Sequence, residues 1–289
     1  MATVGRPERV PGTSAELGES PVWDPRIARL RWVDLFAGVL HATDPTTGAD
    51  ESVRVDGVCG FVALADDGIV HAVGSRIVHR SSIGVREVAS EESHLQFNDS
   101  QVSPGGWLFA GLFATDRTAR LEAGRLVRVG ADGALSVVST GITLTNGMGW
   151  SPAGDVMFHV DMPLGRVDRY DFDAATGSAR HRRPAFAIDG PGTPDGMAVD
   201  AEGRVWIAMW GTPTVRAFDD GGREVARIDL PVANVTSCAF GGPDLSTLYV
   251  TTSTRGATPE QRDAGAVFAV ATDTRGQAPR YFGRSASEA

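Results

Sequence analysis

One feature constrains this chain more than any other: a motif recurs along it about every 48 residues, a period that signals stacked or radially arranged repeats. The clearest copy opens with Trp150-Ser151-Pro152-Ala153-Gly154 and continues through Val156-Met157-Phe158-His159-Val160-Asp161 to Gly165-Arg166-Val167-Asp168-Arg169-Tyr170-Asp171. One unit later, Val199-Asp200-Ala201-Glu202-Gly203 leads into Val205-Trp206-Ile207-Ala208 and Val215-Arg216-Ala217-Phe218-Asp219. The first unit reads Trp23-Asp24-Pro25, then Leu30-Arg31-Trp32-Val33-Asp34, then Gly38-Val39-Leu40-His41-Ala42-Thr43-Asp44. Weaker copies begin near Leu64-Ala65-Asp66-Asp67-Gly68, Val102-Ser103-Pro104-Gly105-Gly106 and Phe240-Gly241-Gly242-Pro243.

Each unit is a short apolar strand, a turn rich in Pro, Gly and Asp, a second β-rich run, a loop and a third strand. No amphipathic helix separates the runs, so the units are antiparallel meanders and not βαβ crossovers. Six such units in 289 residues fit an all-β, six-bladed β-propeller with four-stranded antiparallel blades around a central channel. The 35 glycines and 16 prolines suit many tight turns. The expectation is one domain over 1–289, with loosely held ends near 1–12 and 284–289 and residues 11–16 as a candidate outer strand for the last blade.

Several function classes are excluded. A net charge of −9 lacks the basic footprint of a nucleic-acid-binding surface. No run of about 18 apolar residues is present, and the first 14 residues lack the apolar core of a secretory signal; a cytoplasmic protein is expected, away from membranes. All 27 basic residues are arginine, so no lysine can form a Schiff base. Cys59 and Cys238 lie in strand-like apolar runs and read as small buried hydrophobes. The six histidines show no HxH or HExxH spacing, and nucleophile-elbow, dinucleotide and phosphate-loop motifs are absent.

Aligning the six units on their first turn exposes a pattern five positions earlier: Glu19, Gly60, Asn98, Asn146, Asp195 and Thr236. The first strand of every propeller blade lines the channel, which would bring these residues together at one mouth. Two carboxylates and two amide oxygens at one level would form an all-oxygen site suited to a hard divalent cation. Asn146-Gly147 and Asp195-Gly196 can also be read as simple turns that start strands. Four polar residues in six equivalent slots favour the site, since facing buried carboxylates repel unless a cation lies between them.

The segments Leu17-Gly18-Glu19-Ser20-Pro21-Val22-Trp23, Phe97-Asn98-Asp99, Asn146-Gly147-Met148-Gly149-Trp150-Ser151 and Pro194-Asp195-Gly196-Met197-Ala198-Val199-Asp200 together resemble the SMP-30/gluconolactonase/regucalcin-like family over about residues 14–275. The resemblance implies a six-bladed propeller hydrolysing sugar lactones with one divalent ion, Ca²⁺ first and Zn²⁺, Mg²⁺, Mn²⁺ or Fe²⁺ as alternatives. It implies Glu19, Asn146 and Asp195 as metal ligands, Asp195 also as general base, and Asn98 beside metal and substrate, with Asp99 bracing the turn or its surroundings. Many members carry Arg where Gln96 stands here, and Gly where Ser100 stands, so a guanidinium that would bind substrate oxygens is missing.

If the inner strands start at the metal face, the loops between second and third strands return to it. Phe36, Phe113, Met162 and Trp210 would then form an apolar wall, or pack on neighbouring loops, while Arg117, Arg120, Arg255 and Arg262 belong to solvated loops that could meet an anion. Gln96, Asn98, Phe113 and Trp210 are accordingly the candidate substrate-binding residues of a monomer or weak homo-oligomer acting on a small molecule. A sugar lactone or a less polar lactone or ester is the leading substrate class. The alternatives are a metalloenzyme with other chemistry on the same scaffold, such as phosphotriester hydrolysis or a biosynthetic step, and a non-catalytic metal-binding propeller.

Overall fold

Six four-stranded antiparallel sheets follow one another around a ring in the computed structural model, which describes residues 3–116 and 123–284. Blade 1 runs through Gly18–Asp24, Arg29–Asp34, Val39–Thr43 and Asp50–Arg54, each strand pairing with the next. The inner strands of blades 2 to 6 are Val62–Ala65, Leu95–Val102, Thr145–Trp150, Thr193–Val199 and Val235–Gly241. Each packs against the inner strand of the next blade, and the last against the first, so the expected six-bladed propeller is the fold observed.

Burial grades outward along each blade. All six residues of Thr145–Trp150 are buried, whereas all five of Asp50–Arg54 are exposed. The core lies between blades, because each sheet must cover both apolar faces with its neighbours. Phe61 and Phe97 meet edge to face at 6.0 Å between blades 2 and 3, and Trp206 meets Phe240 at 5.8 Å between blades 5 and 6. Phe109, Trp150 and Phe172 form a three-ring cluster between blades 3 and 4. Cys59 and Cys238 are free, buried thiols pushed up to about 12 by desolvation, consistent with their apolar surroundings. Among the described residues, no helix is long and apolar enough to cross a membrane.

The last blade has three strands from the C-terminal part of the chain and one from the N-terminal part. Glu8–Arg9 pairs antiparallel with Phe268–Ala271, in the register Glu8↔Ala269 and Arg9↔Phe268. The outer strand is therefore Glu8–Arg9 and not residues 11–16, which form no strand. The expected loose end near 1–12 is also corrected from residue 3 on: Gly5 N–H donates to Ala271 O at 2.7 Å, Val10 N–H donates to Val267 O at 2.8 Å, and Val10 is buried. The outcome follows from edge chemistry, since an unpaired strand edge is a row of unsatisfied donors and acceptors.

A segment that the repeat pattern does not announce crosses the other mouth of the channel. Residues 275–284 cross the C-terminal ends of the inner strands. Gln277 Nε2 donates to Trp150 O at 2.8 Å and to Val199 O at 3.2 Å, Phe282 N donates to Leu64 O, and Gly283 N donates to Gly106 O. A polar cavity of about 110 Å³ remains inside, with Asp99, Ser100, Met148, Met197, Gln277 and Arg280 among its lining residues. Arg284 is held by its N–H to Tyr281 O and by Asp66 at 3.3 Å; the remaining tail, 285–289, lies outside the described residues.

Deleting residues 1–10 should open the edge of the last blade and uncover the site of Val10. Burial of that side chain alone is worth about 1.5–3 kcal/mol, so in a chain of this length melting is expected to fall by roughly 2–5 °C. Unchanged thermal or urea denaturation of the truncated chain would show that three strands suffice to close the ring.

Candidate functional site

Four of the six aligned slots fall in the first three residues of the inner strands, Gly60 just precedes its strand and Asn98 is the fourth residue of its own, and in five of the six blades the ladder is irregular there. Pairing runs Phe97↔Leu112 then Ser100↔Ala110, Thr145↔Asp161 then Met148↔His159, and Pro194↔Met209 then Met197↔Ile207. Asn98-Asp99, Asn146-Gly147 and Asp195-Gly196 thus occupy bulges, and Glu19 begins another, between Glu19↔Val33 and Val22↔Arg31. The fifth contains Thr236. Bulges bend a strand and re-aim its side chains, which is how regular ladders can turn polar groups onto the axis.

The glycines have a packing reason beyond turn chemistry. A Cβ on Gly147 would sit 2.5 Å from Met197 N and 2.7 Å from Asp195 O, and one on Gly196 would sit 2.1 Å from Ser237 Oγ. The inner strands approach too closely there for any side chain. Gly60, in the second slot, would press a Cβ to 2.2 Å from Phe97 O. The blank slot is therefore space that the backbone of blade 3 occupies. Thr236 is turned to a structural task, donating from Oγ1 to Gly18 O at 2.6 Å across the seam between blades 6 and 1.

Four polar slot residues remain. Asn146 and Asp195 are 4 % and 3 % exposed, while Glu19 and Asn98 are partly buried. Asn98 Nδ2 donates to Thr145 O at 2.9 Å, and Asn146 Nδ2 donates to Met162 Sδ at 3.7 Å. Both amides thereby keep their carbonyl oxygens as the atoms left for a ligand. Asp195 Oδ1 is buried with no hydrogen-bond partner.

Electrostatics brings the same residues together. Burial raises the Glu19 carboxyl well above the ordinary carboxylate range, and the charges of Asp195 and Asp99 raise it further. Asp195 is raised likewise, first by burial and then by Asp99, against opposing hydrogen bonds from Asn146 and the Gly196 amide. Asp99, which accepts the Ser100 N–H at 2.7 Å, is pushed up to about 6 by burial. It braces its own turn as the sequence suggests, yet it is also a third carboxylate facing the pair and lining the inner cavity. Like charges held in a desolvated space disfavour joint ionisation, and a cation among them would relieve that cost.

The donor set fits a hard ion. Among the described residues no group of three or more His, Cys, Asp or Glu side chains is arranged to hold a metal, so two carboxylates would need the amide oxygens of Asn146 and Asn98, and water, to complete a shell. Around this mouth, Gln96 pairs across the strand with Phe113, and Trp210 pairs with Thr193. Met162 touches Asn146 through its sulfur. Phe36, 42 % exposed, is covered by the Arg255 guanidinium at 4.4 Å, so it packs on a neighbouring loop. Arg117 and Arg120 lie outside the described residues.

A closed ring of six blades with polar groups gathered at one axial mouth defines a propeller that can carry its chemistry on the axis. Residues 17–254 match the SMP-30/Gluconolactonase/LRE-like region, and the chain belongs to that family. It is 39% identical over 249 residues to pentonolactonase XacC of Haloferax volcanii, covering 85% of this chain and 84% of that protein. It is 31% identical over 291 residues to regucalcin of Xenopus laevis, covering 95% and 97%. The solved structure of regucalcin from Agrobacterium tumefaciens, described as a calcium-binding protein, shares the fold with a TM-score of 0.89 at 24% identity, over 96% of this chain and 97% of that one.

A raised folded-state pKa makes a carboxylate destabilising above that pKa, and the penalty disappears as pH falls through it. Metal-free Asp195→Asn should therefore be more stable than metal-free wild type at pH 8, because burial and the Asp99 charge raise the Asp195 carboxyl well above the ordinary range. The gap should narrow as the pH falls through the raised folded pKa and vanish only below the ordinary aspartate pKa. Urea denaturation in chelator at several pH values checks this, and a variant less stable at pH 8 would mean that the carboxylate is not strained.

Proposed function

We propose that this protein is a divalent-metal-dependent hydrolase that opens a lactone ring. The observation that carries the reading is the buried, unpartnered Asp195 Oδ1, facing Glu19 and two asparagines at the mouth of the channel. The lactone itself is suggested by the relative named as a pentonolactonase. Glu19, Asn146 and Asp195 would hold the ion, with Asn98 beside it. When bound, a divalent ion supplies Lewis acidity that polarises the ester carbonyl and stabilises the negative charge developing on its oxygen. Ca²⁺ is the first choice for this oxygen donor set, with Mg²⁺, Mn²⁺, Zn²⁺ and Fe²⁺ to be compared.

Asp195 acts as general base. It takes a proton from the water that attacks the carbonyl carbon and returns it to the ring oxygen as the carbon–oxygen bond breaks. A carboxyl whose pKa burial has raised is better matched to this task than an ordinary aspartate. Asn98, Gln96, Phe113 and Trp210 orient the ring. The segment 275–284 across the far mouth leaves the metal face as the route for substrate and product.

Gln96 and the neighbouring aromatics favour a substrate less polar than an aldonolactone. Five fixed guanidinium donors are replaced by one neutral amide, and its cross-strand partner is Phe113.

Proton release near neutral pH from metal-stripped protein, with each ion restored separately and a panel of aldonolactones and apolar lactones, tests the assignment. Metal-dependent acid release supports it; silence from protein that binds metal would move the same centre to different chemistry. Asp195→Ala should reduce kcat by about 10²–10⁴-fold and weaken metal binding while the β-sheet circular dichroism remains; persistent turnover would remove Asp195 from the mechanism. Gln96→Arg is expected to raise kcat/KM for polyhydroxy lactones by up to about tenfold, one charge-assisted contact's worth. No gain on any aldonolactone would place the specificity elsewhere in the wall.

A further inference from the structure

Two buried aspartates outside the donor set grip the chain just ahead of two proposed ligands, at the same sequence spacing; Asp161 also lies 3.9 Å from the Arg182 guanidinium, and Asp34 also accepts the Ala37 N–H. Asp161 ends the second strand of blade 4. Its carboxylate accepts the Thr143 N–H at 3.2 and 3.3 Å and the Leu144 N–H at 3.1 Å. Asp34 ends the second strand of blade 1, and accepts the Glu16 N–H at 2.9 Å and the Leu17 N–H at 3.4 Å. In both blades the gripped amides lie three and two residues before the slot, which holds Asn146 in one and Glu19 in the other. A backbone bond accompanies each grip, Met162 N to Leu144 O at 3.0 Å and Leu35 N to Leu17 O at 2.9 Å.

This arrangement is selective. The residue paired with the position just before the slot is Asp34 opposite Gly18 and Asp161 opposite Thr145, but Leu112, Met209 and Thr252 in blades 3, 5 and 6. A carboxylate on these buried or part-buried amides makes charge-assisted bonds and satisfies donors that would otherwise be costly to leave unpaired. The Glu16 segment is also held from the far side, because Ser253 Oγ donates to Glu16 O at 2.6 Å. The inner strand therefore begins from a fixed point, two residues before a side chain that has to be placed within about half an ångström to bind an ion well.

We propose that Asp34 and Asp161 are positioning residues, setting Glu19 and Asn146 for the ion without touching it; this rests on the metal-centre reading above. Mn²⁺ is the probe, its affinity measured by calorimetry on the full chain alongside melting and steady-state kinetics. Asp161→Ala is expected to weaken Mn²⁺ at least tenfold and to lower kcat by more than it raises KM. Asp161→Asn and Asp34→Asn, which keep one carbonyl acceptor, should lie between that variant and wild type, and they carry the test if the alanine variant does not fold. Asp200→Asn is the control. That buried carboxylate accepts the Glu202 and Arg204 amides and Trp206 Nε1 at the opposite end of blade 5, so its loss should lower melting and leave Mn²⁺ affinity unchanged. Variants at 34 and 161 that melt lower yet bind Mn²⁺ like wild type would overturn the positioning role alone. Wild type that binds neither Mn²⁺ nor Ca²⁺ would overturn the metal centre on which it rests.

Discussion

The seam between the first and last blades holds the ring closed, and the polar mouth depends on it. Sheet pairing there is a clasp between distant parts of the chain, Glu8 and Arg9 lying against Phe268 and Ala269. Further in, Thr236 reaches Gly18, and Ser253 reaches Glu16. These last two bonds fall one and three residues before Glu19. An open ring would leave two sheet faces bare, and would also release the start of the strand that carries the first acidic slot. Closure and site geometry are therefore one constraint, imposed by strands that cannot be left with unpaired edges.

Closure also forces an electrostatic conflict. Inner strands running in the same sense around an axis bring their N-terminal ends to one level, and bulges turn the side chains there inward. Glu19, Asp99 and Asp195 are drawn together where burial penalises their charged forms. A fold selected for stability alone would fill this position with apolar side chains, since desolvated like charges oppose folding. The surrounding ring carries large inter-blade aromatic clusters whose burial offsets that cost. Strain of this kind at a functional mouth, offset by packing elsewhere, is the usual division of labour in enzymes.

The other end of the channel is arranged differently. Backbone carbonyls at the ends of blades 4 and 5 are capped by the Gln277 amide, and the segment around it joins blade 2 and the first turn of blade 3. One mouth is thus bound up in hydrogen bonds while the other keeps free acceptors. That asymmetry gives the molecule a chemical direction, and the positioning carboxylates Asp34 and Asp161 belong to the open side.

From the sequence alone, the period of about 48 residues, the alternation of apolar strands with Gly and Asp turns, and the polar residues five positions before four of the six turns were enough to state the architecture and name the candidate ligands. Those signals are local: they depend on strand period and turn chemistry, which neighbours in the chain dictate. Other features depended on contacts between distant segments. The outer strand is Glu8–Arg9 because its partner lies some 260 residues away, and two exposed polar residues carry no pattern that names that partner. Gly147 and Gly196 read as turn residues, but what excludes a side chain is the backbone or side chain of the next blade. The tail 275–284 has no repeat signature, yet it crosses the far end of the channel. The aspartates of Trp32-Val33-Asp34 and His159-Val160-Asp161 were visible as repeat letters, while their grip on amides 17 or 18 residues earlier became legible only when the strands were side by side. Sequence determined which strands and turns form; the closed ring decided which of their polar groups would be buried together, because desolvation and charge proximity belong to three-dimensional neighbours and not to neighbours in the chain.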